Sequence, residues 1–170
     1  MLWLWARSNG SPKKVKALGL IGAPLPHVVP ERTKAPEIDR FAMAKLVCAG
    51  RLAEMMRLWS GHPLTQVAPA GQTLLDEILA DYNGRDQLVD QDMLAFSAQD
   101  IAALPMPVLA MAGAQDSEWR QEVARFIGSS APRGRTQIVP EAGHIANVDA
   151  PAAVNRELQN FLNIAHLKEL

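Results

Sequence analysis

Two residues stand where an acid–base pair could be built. Asp116 comes three residues after the apolar run at 107–113 (Pro-Val-Leu-Ala-Met-Ala-Gly), and His144 comes five residues after the run at 135–139 (Arg-Thr-Gln-Ile-Val). Both runs read as short strands with a helical stretch between them. Each residue therefore leaves the carboxyl end of a strand, where an open parallel α/β sheet builds its sites. A carboxylate that holds an imidazole in one tautomer, while the imidazole acts as base, is two-thirds of a nucleophile-activating triad. His144 is the candidate base and Asp116 its orienter. Gly143 lets the loop turn tightly and expose the ring. The third member is missing, because nowhere does the sequence read Gly-x-Ser-x-Gly.

The order of these features resembles a known family. A strand with Gly113-Ala-Gln-Asp116, a helix, a strand with Pro140-Glu-Ala-Gly-His144, and a helix opened by Pro151 is similar to the C-terminal part of the α/β-hydrolases. In that family the triad runs nucleophile, acid, histidine. The segment 12–24 looks like the strand that follows the nucleophile helix, and 1–7 looks like the remains of that helix. The likeness covers about 1–26 and 93–164 of the 170 residues. It implies a hydrolase of carboxylic esters or related bonds that works on a small molecule through a covalent intermediate, without a cofactor. It further implies a nucleophile upstream of Met1, with the oxyanion-hole amides also outside the chain. On this reading the chain alone lacks the attacking atom and is expected to be inactive.

Bland readings compete at each position. Asp116 could simply cap the helix that begins near Ser117, a common task for aspartate. His144 could be an ordinary loop histidine. His27 could line a site mouth or sit in a loop, His62 reads as exposed, and His166 falls in the terminal helix. No histidines have metal-ligand spacing, so no metal site is expected. Ser8 lacks a preceding strand, and Ser129 and Ser130 follow a helix, so none of them suits a nucleophile elbow. Cys48, the single cysteine, lies in an apolar helical stretch and reads as packing.

The elements that must position the pair follow from periodicity. Val15 to Gly22 reads as a buried parallel strand. Ile38, Phe41, Ala42, Leu46, Ala49, Leu52, Met56 and Trp59 follow helical spacing, with Pro36 in the first turn and a break at Gly50. Leu74, Leu75, Ile78, Leu79 and Tyr82 form a second stripe, with a capping box at Thr73 and Asp76. A third helix is expected over 86–96 and a short one over 100–104. Ser117 caps a helix over 118–127, which Gly128 stops. Met43, Met55, Met56 and Trp59 pack a core or line a substrate pocket. The expected fold class is α/β: a small parallel sheet of about three strands flanked by helices. Residues 1–26 and 97–170 form its core, and 27–96 a helical cap insert.

The balance of 17 basic against 18 acidic residues argues against a nucleic-acid surface. No apolar run approaches the roughly 20 residues of a membrane span. With no secretory leader in view, a cytoplasmic location is expected. The first strand would expose an apolar edge, which favours self-association or a missing N-terminal half as partner. Two further readings stay open: a non-catalytic binding module or inactive gene product, and haloperoxidase, dehalogenase or C–C hydrolase chemistry on the same fold.

Overall fold

The computed structural model describes residues 15–31, 39–88 and 96–167, the side chains of 165–167 excepted. Strands β1 (Leu18–Ile21), β2 (Val108–Gly113) and β3 (Gly134–Val139) form one parallel sheet in that order. Leu18 pairs with Val108, and Val108 with Gly134, so the three strands start level. Every residue of β2 is buried, as its unbroken apolar run requires of a strand covered on both faces.

Alternation along β2 divides the core in two. Val108, Ala110 and Ala112 face Val123, Ala124 and Ile127 of helix α5 (Glu118–Ser130). Leu109 and Met111 face Val154 and Phe161 of helix α7 (Pro151–Leu167). One helix thus covers each face, and the carboxyl ends of β2 and β3 remain at a common rim.

Helices α1 (Arg40–Cys48), α2 (Leu52–Ser60), α3 (Gln72–Ala80) and α4 (Ala98–Ala102) lie between β1 and β2, with 3-10 turns at Pro63–Thr65, Pro69–Gly71 and Arg85–Leu88. The break at Gly50 is real: its φ of +70° is left-handed, which ends one helix before the next begins. Asp39 caps α1, accepting the Ala42 N–H at 2.9 Å. The expected inward stripe is partly wrong. Phe41 is 71 % exposed, with the Lys45 ammonium over its ring, while Met43 and Met55 fill the interior instead. A helix start set by Asp39 leaves Phe41 in the first turn, on the solvent side. Leu74 and Ile78 are exposed as well.

Other expectations are corrected locally. Cys48 is exposed at the end of α1 rather than packed. The capping box forms at Ser97 and Asp100, not at Thr73 and Asp76, because Gln72 bonds the Asp76 carboxylate at 2.7 Å. Gly128 does not stop α5, which runs on to Ser130. Glycine serves there as a contact: a Cβ would overlap the Thr136 hydroxyl of β3. Residues 85–88 make a 3-10 turn rather than a helix start. The expected helix at 1–7, the rest of the third helix at 89–95, Pro36 and Ile38 all lie outside the described residues, as does the side chain of His166.

Candidate active site

The loops after β2 and β3 meet through backbone bonds. Ala114 N–H donates to the Val139 carbonyl at 2.8 Å, and Gln115 N–H to the Ala142 carbonyl at 2.9 Å. Gly113 makes this approach possible, since a Cβ there would overlap the Ala142 and Gly143 carbonyl oxygens. Glu141 turns the second loop in a left-handed conformation, φ 57°. Such a conformation is uncommon for a residue with a side chain and recurs at functional sites.

This stitching brings the two sequence-predicted residues together. His144 Nδ1 lies 2.9 Å from Asp116 Oδ2. The Asp116 side chain is 1 % exposed and that of His144 25 %. An ionised carboxylate can only accept, so Nδ1 carries the proton and Nε2 is left as the basic nitrogen. The competing role for Asp116 falls to its neighbour: Ser117 caps α5 by accepting the Arg120 N–H at 3.3 Å. The other Asp116 oxygen, Oδ1, accepts the Ser117 N–H at 2.7 Å. Both carboxylate oxygens are thereby fixed. Among the described residues no hydroxyl or thiol bonds to Nε2 of His144.

Residues that the sequence reading passed over complete the surroundings. Gly22, at the end of β1, adopts φ +58°, and a Cβ on it would stand 2.8 Å from His144 Cε1. Its carbonyl accepts from Arg120 Nη1 at 2.8 Å, and the Arg120 guanidinium lies 4.8 Å from the Trp119 ring centre. Burial pulls the Arg120 pKa below its ordinary value, opposed by the charges of Asp116 and Glu31. Trp119 Nε1 bonds the Val29 carbonyl at 2.7 Å, tying the chain beyond β1 to α5. Gly22→Ala should cost about 1–2 kcal/mol from the left-handed backbone alone. It should also displace the imidazole, read as a shift of the His144 ring signals in NMR. Unmoved ring signals would mean that the contact is slack.

Beside the pair lies a cavity of about 410 Å³. Asp116, Gly143 and His144 line it from the strand-end loops, Leu64, Val67 and Ala68 from the segment between β1 and β2, and Asp149 lines it as well. Met43, Met55, Met56 and Trp59 do not line it. His27 is exposed, away from the cavity. His62 is half-buried rather than exposed, because its Nδ1 accepts the Leu64 N–H at 3.2 Å. Among the described residues no three metal-ligating side chains cluster, and no helix is long and apolar enough to cross a membrane.

No family model and no curated protein matches the sequence. Solved structures do match. A thermophilic esterase from Thermogutta terrifontis superposes with a TM-score of 0.65 at 16 % identity, over 97 % of this chain and 61 % of the esterase. MenH from S. aureus gives 0.64 at 14 %, over 89 % and 60 %. An alpha/beta hydrolase from Sphaerobacter thermophilus gives 0.54 at 17 %, over 95 % and 63 %. The chain thus spans about three-fifths of the length of these proteins. At such identities the likeness speaks for the fold.

Proposed function

We propose that this chain, which has the α/β-hydrolase fold, supplies the acid and base of a nucleophile–His–Asp triad that cleaves a carboxylic ester or related bond. The observation that carries this reading is the 2.9 Å bond from a buried carboxylate to the partly exposed ring of His144. His144 Nε2 takes the proton of an attacking hydroxyl as its oxygen bonds the substrate's carbonyl carbon. The protonated ring then gives that proton to the leaving oxygen as the ester bond breaks. Water, deprotonated by the same nitrogen, then attacks the acyl carbon, and the ring returns that proton to the nucleophile's oxygen as the acyl bond breaks. Asp116 stabilises the imidazolium throughout.

The nucleophile in this proposal comes from a polypeptide segment beyond the described residues. Two observations support that placement: the partial coverage of the similar structures, and a basic nitrogen with no described hydroxyl beside it. The remaining strands would add at the outer edge of β1, which pairs only with β2 among the described residues. The helical segment between β1 and β2 would be the cap, with Leu64 and Val67 facing an apolar part of the substrate.

The coding DNA just upstream, read in all three frames, should specify Gly-x-Ser-x-Gly, or the same elbow with Asp for Ser. The continuous polypeptide should hydrolyse short p-nitrophenyl esters. In it His144→Ala should lower kcat at least about a thousandfold, as loss of a triad base does. An unchanged rate in that variant would remove His144 from the mechanism.

A further inference from the structure

Asp149 stands at the seam between the two segments that line the cavity. Its Oδ2 accepts the Gly143 N–H at 2.7 Å, one residue before His144. Its Oδ1 accepts the Ala68 N–H, also at 2.7 Å, from a segment 81 residues away. Neither amide has another acceptor among the described residues. The seam is tight beside it. A Cβ on Gly71 would come within 2.9 Å of Val148 Cγ1, and a Cβ on Gly143 within 3.2 Å of Asp149 Oδ2. Asp149 ends the short helix α6 (Ala146–Asp149), through which the histidine loop exits toward α7.

We infer that Asp149 is a positioning residue: one carboxylate clasps the 66–71 segment to the His144 loop, so the place of the imidazole depends on how that segment docks. This rests on the reading of His144 as the base. Hydrogen bonds from amides to an ionised carboxylate are roughly twice as strong as neutral ones. Asp149 makes two, to backbone of both segments. The Gly143 bond orients the peptide group that precedes His144. A substrate that fills the cavity would contact both segments, which couples its binding to the aim of Nε2 through this side chain.

Asp149→Asn tests the clasp with almost no change of shape. An amide has one accepting oxygen, and its NH2 must confront the second N–H. Amide hydrogen exchange at Gly143 or Ala68 should therefore rise about tenfold or more, the size of one lost charge-assisted bond. The His144 ring signals should shift, and kcat of the continuous polypeptide should fall about tenfold. Asp149→Ala should release both amides. Thr65→Val serves as control: it removes a hydroxyl bonded to the Trp59 and His62 carbonyls just before that segment. It should lower the melting temperature and leave the Gly143 exchange rate and the His144 ring signals unmoved. Ring signals that stay put in Asp149→Asn, or move equally in Thr65→Val, would overturn the clasp. So would unprotected Gly143 and Ala68 amides in the unaltered chain, which needs no variant to fold. Exchange and ring signals do not require turnover. A polypeptide without esterase activity would thus sink the base assignment and still report on Asp149.

Discussion

Asp116→Asn is expected to lower kcat of the continuous polypeptide by roughly 10³–10⁴ while leaving the fold intact, an effect of the size known for the corresponding change in another triad. The cause lies in two short bonds. Asp116 Oδ1 accepts the Ser117 N–H at 2.7 Å, and Oδ2 faces His144 Nδ1 at 2.9 Å. Asparagine can satisfy the Ser117 N–H only with its carbonyl oxygen. Its NH2 group then points at Nδ1 and donates to it. The ring must now carry its own proton on Nε2, the atom that in the proposed mechanism receives one from the nucleophile. The opposite amide flip would set the NH2 group against the Ser117 N–H and cost about 1–3 kcal/mol for an unsatisfied buried donor. Nitrogen-15 shifts of the imidazole check the tautomer directly, and steady-state kinetics check the rate. A variant that kept the Nδ1–H tautomer and the full rate would show that Asp116 does not orient the base.

Gly113→Ala is expected to destabilise the protein by about 3 kcal/mol, the upper end of the usual cost of overpacking, because the site cannot yield. The new methyl would overlap the carbonyl oxygens of Ala142 and Gly143. Neither can retreat freely, because the Ala142 oxygen accepts the Gln115 N–H and Gly143 is held by Asp149. For a chain of this size, that loss corresponds to a fall in melting temperature of about 6–12 °C. The loops after β2 and β3 would also part, so the Asp116–His144 bond should loosen in any fraction that folds. Thermal denaturation followed by circular dichroism gives the first effect, and the His144 ring signals give the second. A melting temperature within about a degree of the unaltered protein would show that the loops have room to separate.

Much of this arrangement was legible in the sequence. An unbroken apolar run such as 107–113 can be buried on both faces, and β2 is. Asp116 and His144 follow the last residues of two strands, and parallel strands deliver such residues to one rim. Where the sequence misled, the cause was local competition. Phe41 carried the helical period yet lies outside, in the first turn after the Asp39 cap, with the Lys45 ammonium over its ring. Gly128 looked like a stop signal, but the helix runs on through it to Ser130, and glycine stands there because β3 passes too close for any side chain.

Asp149 and Gly22 left no pattern to find. Their value comes from partners far along the chain: Ala68 for the one, His144 and Arg120 for the other. The order of the strands, the buried centre of the sheet and the meeting of Asp116 with His144 were set by residue types and their spacing, which act between near neighbours. Which oxygen of Asp116 meets the ring, what holds the histidine loop, and which residues wall the cavity were decided only in three dimensions. Those contacts join backbone groups remote in sequence, and a backbone amide is the same whichever residue carries it.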